Sequence, residues 1–144
     1  MNPLSTYMHK YLIHFCVVAI NYIIQNQIGI NWNSVFLDFE TINPAIPRYE
    51  NTTPYQQVPF QFSVHIWPNK DAELIHKEYL HTDAQDPRPL LIPALLEACA
   101  DKGSIVAYYG QFESSRITEL AEFSPVHKEN LEALLPRIVD PLPI

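Results

Sequence analysis

Two carboxylates spaced two residues apart, in Leu37-Asp38-Phe39-Glu40, are the strongest chemical signal in the sequence. The apolar approach through Val35, Phe36 and Leu37 predicts a short buried strand over Val35–Phe39. Alternate residues of a strand point the same way, so Asp38 and Glu40 project together from one face. Ionised carboxylates placed side by side repel each other. A hard divalent cation relieves that repulsion, because Mg²⁺ and Mn²⁺ prefer oxygen ligands. A solvated strand end can carry the same acid-x-acid pattern, but a strand with so apolar an approach seldom bears acids without a purpose. Phe36 and Phe39 are expected to pack into the core.

A second segment, Ala107 to Arg116, reads A-Y-Y-G-Q-F-E-S-S-R. A strand ending near Tyr108 and a helix starting just after Gly110 place Glu113 in the first helical turn. There it is close to the sheet edge, where a strand-borne carboxylate could meet it. The same position also suits an acid that does no more than favour the positive end of the helix dipole. Asp140 ends the run R-I-V-D and either faces that edge or caps the segment after it. His65, His76, His81 and His127 show no metal-ligand spacing, and structural roles are expected for them. Tyr49, Tyr55 and Phe60 lie near the first acidic pair, where they either stack on unpaired bases or cover the core.

The elements that must position these groups can be read from periodicity. Gln57–Trp67 alternates apolar and polar residues from Phe60 onward, as a half-buried strand does. Pro68-Asn69-Lys70-Asp71 supplies a turn, and Glu73–Leu80 is the returning strand of a hairpin, with a helix as the other option. Pro89–Ala100 has helical spacing and is followed by a glycine stop in Asp101-Lys102-Gly103. Ser104–Tyr108 is a further strand. Phe112–Phe123 is an amphipathic helix with Ile117, Leu120 and Ala121 on one side, His127–Leu135 is a shorter helix, and Arg137–Asp140 is a last strand. The order predicts an α/β domain with a mixed sheet flanked by helices.

The 144 residues suit one domain with a real core, and 47% apolar against 17% charged residues is a globular composition. Thirteen prolines against three glycines predict stiff, extended connections. A net charge of −7 argues against a broad basic surface for duplex nucleic acid, and an acidic metal site is itself a source of negative charge. Cys16 and Cys99 belong to no metal-binding or disulfide pattern, which fits a reduced, cytoplasmic protein with no small-molecule cofactor. Residues 1–33 form a separate apolar segment ahead of a domain spanning 34–144. Within it, Tyr11–Ile24 is read first as a buried helix. The run is short for a membrane span and has no clear signal-peptide features, so membrane association is not expected.

From Val35 to about Asp140 the chain resembles a bacterial domain-of-unknown-function family related to DnaQ-type exonucleases of ribonuclease H-like fold. The resemblance rests on F-L-D-F-E-T-I-N-P-A-I-P, P-Y-Q-Q-V-P-F-Q-F-S-V-H, D-P-R, G-S-I-V-A-Y-Y-G-Q-F-E and R-I-V-D. It implies that Asp38 and Glu40 form the first exonuclease motif and that Glu113 holds the acid of the second. Tyr109 stands where the wider superfamily often has asparagine, and Glu113 replaces the commoner aspartate. Asp140 resembles a strand-end acid that is usually not a ligand, and it is kept as a fourth metal candidate. The implied chemistry is phosphodiester hydrolysis of nucleic acid, preferably single-stranded, with two Mg²⁺ or Mn²⁺ ions. In longer proteins such a domain often follows a RecB-like nuclease module. The superfamily's last motif, a His or Tyr preceding an Asp, is not found before Ile144. A fragment with weak or no activity is therefore expected, and the alternative is a non-catalytic ribonuclease H-like module that binds nucleic acid or a partner.

Overall fold

The computed structural model describes residues 33–141 apart from 70, 101 and 102. The expected N-terminal apolar helix lies outside the described residues. Among the described residues, five strands and three α-helices form a mixed α/β architecture: β1 (Ser34–Ile42), β2 (Val58–Trp67), β3 (Ile75–Leu80), α1 (Arg88–Ala98), β4 (Ser104–Val106), α2 (Gly110–Phe123), α3 (Lys128–Glu132) and β5 (Ile138–Val139). The sheet order is β3-β2-β1-β4-β5. The pairs β1/β2 and β2/β3 are antiparallel, whereas β1/β4 and β4/β5 are parallel. Among the described residues no helix is long and apolar enough to cross a membrane.

The alternation in β1 and β2 divides the sheet into two faces. Val35, Leu37 and Phe39 share one face with Phe62, Val64 and Ile66, and all six are buried in the main core. Phe62 meets Phe39 edge-on at 6.5 Å and stacks on Tyr79 at 6.1 Å, an aromatic row across three strands. From α1, Leu91, Ile92, Leu95 and Ala98 fill this core. Ile117, Leu120 and Ala121 of α2 join them, as the helical spacing predicted, along with Leu131 and Leu134. Each fully buried leucine or isoleucine contributes about 1.5–3 kcal/mol. Asp38 and Glu40 lie on the opposite face, which also carries Phe36. Phe36 is buried, but on the face of the acids and not in the cluster that holds Phe39. Both rings are buried as expected, on opposite faces of the sheet as strand parity requires.

Strand β1 runs two residues past Glu40 to Ile42, with a bulge against β2 between Glu40 and Thr41. The run Glu73–Leu80 resolves as a strand over Ile75–Leu80, and Asn69 makes the turn that precedes it. The Asn69 carbonyl accepts from Ala72 N–H at 3.2 Å, and its side-chain Oδ1 accepts from Asp71 N–H at 3.1 Å. The predicted helix over His127–Leu135 is broken: a 3-10 turn at Pro125–His127 precedes α3, and another comes after it at Leu135–Arg137. Helix α1 ends before its expected glycine stop. Gly103 serves instead where β4 comes alongside β1, because a Cβ there would collide with the backbone carbonyl of Asn33.

The D-P-R segment is a structural clamp. The Asp86 carboxylate accepts from the backbone N–H of Arg88 at 3.0 Å, and from its guanidinium at 3.0 Å (Nε) and 2.6 Å (Nη2). Arg88 also donates to the Glu50 carbonyl at 3.3 Å and stacks over the Phe123 ring at 3.9 Å. One buried guanidinium thus joins the β1–β2 loop, the entry to α1 and the end of α2. Truncating Arg88→Ala removes the guanidinium donors of Asp86 and the Glu50 carbonyl, leaves Asp86 only the backbone N–H of residue 88, and opens a void beside Phe123. The expected cost is about 3 kcal/mol, read from the urea midpoint at unchanged m-value.

Candidate functional site

Strand β4 pairs with β1 only as far as Val106↔Phe36, whereas β1 continues to Ile42. The stretch of β1 that carries the acids therefore has no strand beside it on that edge. Helix α2 begins there. Its first turn brings Glu113 alongside β1, where the Phe39 amide donates a hydrogen bond to the carboxyl group. Glu113 is 2% exposed, and its Oε2 has no hydrogen-bond partner. A buried carboxyl oxygen without a partner is costly, and native structures seldom leave one without a reason.

The three acids of the two predicted motifs are brought together. Burial raises the Glu113 carboxyl first and the charge of Asp38 raises it next. The Phe39 amide and Arg116 pull it down, and Glu40 adds a further upward push, leaving it at about 8. Asp38 and Glu40 are exposed and Glu113 is buried. Arg116, itself buried, is held away from full pairing with Glu113. Its guanidinium forks onto Glu119 at 2.7 and 3.1 Å and lies over Phe112 at 4.7 Å. Among the described residues, no group of three or more His, Cys, Asp or Glu side chains stands ready-made as a metal shell.

Asp140 has a different position. Its Oδ2 accepts from the Gly110 N–H at 2.9 Å, so it satisfies one of the free amides at the start of α2. Glycine permits this approach, since a Cβ at residue 110 would stand 3.2 Å from the Asp140 Cβ. The acid caps a helix that precedes it in sequence, whereas the sequence pattern suggested either the acidic edge or a cap on the segment after residue 140. That bond fixes where Glu113 enters. Tyr109, immediately before the helix, adopts a left-handed backbone with φ 68°.

Sequence reasoning did not single out the neighbours of the acids across the sheet. Ser63 lies opposite Asp38 and Gln61 opposite Glu40. The alternation Q-F-S-V-H carried that signal, because Gln61, Ser63 and His65 must share a face. His65 stacks on His76 with ring centres 4.4 Å apart, and His76 Nε2 lies 3.2 Å from Ser63 Oγ. His81 is held by Tyr79 and the Gln85 carbonyl, and His127 by Ser124.

A family model described as Domain of unknown function (DUF2779) matches residues 35–144. The chain is 24% identical, over 96% of its length, to "Uncharacterized protein MG366 homolog" of Mycoplasma pneumoniae. It is 27% identical, over 81% of its length, to "Uncharacterized protein MG366" of Mycoplasma genitalium. The aligned region spans 23% of the first relative and 20% of the second. No solved structure matches the chain.

Glu113 predicts an unusual pH dependence. The folded state holds this proton more tightly than the unfolded chain does, where the carboxyl titrates near 4.5. Its contribution is therefore fully present below pH 4.5 and is lost as pH rises towards 8. In metal-free buffer the wild type should lose up to about 3 kcal/mol between pH 5 and 8 from this group. Glu113→Gln, which cannot ionise, should flatten that slope. Equal slopes in urea titrations of the two proteins would contradict the assignment.

Proposed function

The chain belongs to the family described as Domain of unknown function (DUF2779), and from that premise we propose that it is a metal-dependent nuclease domain of the ribonuclease H-like, DnaQ-type exonuclease class. The observation that carries the reading is the buried, unpartnered Oε2 of Glu113, set beside the charges of Asp38 and Glu40 where β1 outruns β4. The mixed sheet flanked by helices is consistent with that fold.

The donors fit a hard divalent cation. Three carboxylates supply only oxygen, two of them on a rigid central strand and the third at the start of a helix. An ion there would take the place of the proton on Glu113, give its orphan oxygen a partner and relieve the repulsion among the three acids. When bound, Mg²⁺ or Mn²⁺ ions supply Lewis-acid stabilisation of the charge that develops on the phosphodiester oxygens during hydrolysis. The protein's part is positional. Asp38 and Glu40 are held in register by β2 on one side. Glu113 is held by the Phe39 amide and by the start of α2, which Asp140 anchors through Gly110. Ser63 and Gln61, across from the acids, line the same face and offer neutral hydrogen bonds to a substrate.

The test is cation binding followed by hydrolysis. At pH 8, Mn²⁺ at about 100 times its Kd should stabilise the wild type by about 2.7 kcal/mol. Asp38→Asn and Glu113→Gln should each remove most of that gain, and whatever weak Mn²⁺-dependent cleavage of a single-stranded oligonucleotide the wild type shows should be lost in Asp38→Asn. If Mn²⁺ leaves the melting temperature of all three proteins unchanged, the nuclease reading falls, and a scaffold with vestigial carboxylates replaces it.

A further inference from the structure

Three tyrosine rings project into solvent at the end of the sheet where the acids lie, and two of them sit on strained backbone. Tyr55 is 69% exposed, Tyr108 63% and Tyr109 66%. Tyr55 has φ 61° and Tyr109 has φ 68°. The left-handed region costs an L-residue roughly 1–2 kcal/mol, and tyrosine lacks the short polar side chain that lets asparagine or aspartate enter it. Neither ring recovers that cost by packing, since both are about two-thirds exposed. Exposed and strained aromatic side chains are poor devices for stability, and strain of this kind concentrates at functional sites.

Their placement gives the strain a purpose. β1 and β4 are parallel, so the loop after β1 and the connection after β4 leave the sheet at the same end. Tyr55 belongs to the β1–β2 loop, where its backbone meets Pro44 just beyond the end of β1. Tyr108 and Tyr109 lie between β4 and α2, one turn before Glu113. Both mounts are fastened. The Tyr55 N–H donates to the Pro44 carbonyl at 3.0 Å, Thr52 Oγ1 to the Tyr49 carbonyl at 2.6 Å, and Arg88 ties down the same loop through Glu50. Thr41 and Gln57 join side chains across the base of that loop. On the other side the Tyr109 carbonyl accepts from Phe112 N–H at 2.8 Å, and Gly110 is held by Asp140.

We propose that Tyr55 and the Tyr108–Tyr109 pair form a base-stacking clamp for unpaired nucleotides, mounted on the two loops that leave the acidic end of the sheet. The clamp deepens the nuclease reading and rests on it for the position of the phosphodiester. Open ring faces bind bases that are already unstacked, and each base–aromatic stack is worth about 1–3 kcal/mol. A protein of net charge −7 cannot draw its affinity from neutralising a run of phosphates. Stacking fills that gap, and it selects single strands over duplex because paired bases keep their faces covered. The salt dependence of binding is correspondingly shallow.

The experiment is fluorescence anisotropy with the full chain and a short fluorescein-labelled oligothymidylate in Ca²⁺, alongside an abasic strand of equal length. Tyr109→Ala and Tyr55→Ala should each weaken binding about tenfold, in line with the loss of one stack. Tyr109→Phe and Tyr55→Phe should bind as the wild type does. Tyr109→Gly removes the ring while relieving the backbone, so it should melt no lower than wild type yet bind as weakly as Tyr109→Ala. The abasic strand should bind wild type weakly and be indifferent to these substitutions. The clamp is overturned if the alanine variants bind as wild type, if phenylalanine fails as badly as alanine, or if abasic and normal strands bind alike. A chain that grips the strand through these rings but takes up no Mn²⁺ supports the clamp and overturns the nuclease reading.

Discussion

Strand β1 is longer than the strand beside it, and the described structure is arranged around that mismatch. On one edge β2 accompanies it to Ile42, and on the other β4 stops at Val106. Backbone groups of a central strand need partners when buried. Past Val106 the Phe39 amide finds its partner in the carboxyl group of Glu113. The start of α2 thus completes an edge that the sheet leaves open, and in doing so brings a third acid to the strand that carries two. Glu113 therefore meets the charges of Asp38 and Glu40 towards the carboxyl end of β1, past the point where β4 stops.

The arrangement is held under tension. Glu113 is buried beside two other acids and has only partial compensation from one amide and from Arg116. Arg116 does not neutralise it, because Glu119 and Phe112 occupy the guanidinium. A closer Arg116 would relieve the repulsion and fill the site with its own charge. The protein instead leaves Oε2 unpartnered in a buried position, an expensive choice for stability alone. The supporting clamps lie further out: Arg88 on Asp86 and Glu50, Arg137 on the carbonyls of Cys99 and Gly103, and Asp140 on Gly110. These polar ties secure connections that few glycines and many prolines have already stiffened.

The two loops at the acidic end share this construction. Each presents an exposed tyrosine from a left-handed residue, and each is tied by hydrogen bonds that leave the ring itself uncommitted. Rigid mounts with free rings lose little conformational entropy when they engage a partner. The histidines of β2 and β3 behave differently, since His65 and His76 stack on one another and His76 reaches Ser63.

Much of this could be read from the sequence because it depends on local periodicity. Alternation alone put Asp38 and Glu40 on one face, and helical spacing alone put Ile117, Leu120 and Ala121 on another. The strands, the hairpin and the two longer helices came from the same two periods, with errors of a few residues at their ends. The faces of residues further apart depended on contacts that no local pattern encodes. Phe36 and Phe39 are equally apolar and alternation already puts them on opposite faces, but which face carries the main core was decided by what packs against each side of the sheet. Asp140 offered either a place at the acidic edge or a cap on the following segment, and its bond to the Gly110 N–H depends on β5 lying against β4. Asp86 and Arg88 read as a family signature, and their clamp appears only when residues 50 and 123 are brought to the same point. The protonation of Glu113 is likewise a tertiary property. Its chemistry was written in the sequence, but its burial and its distance from Asp38 were set by how far β1 outruns β4.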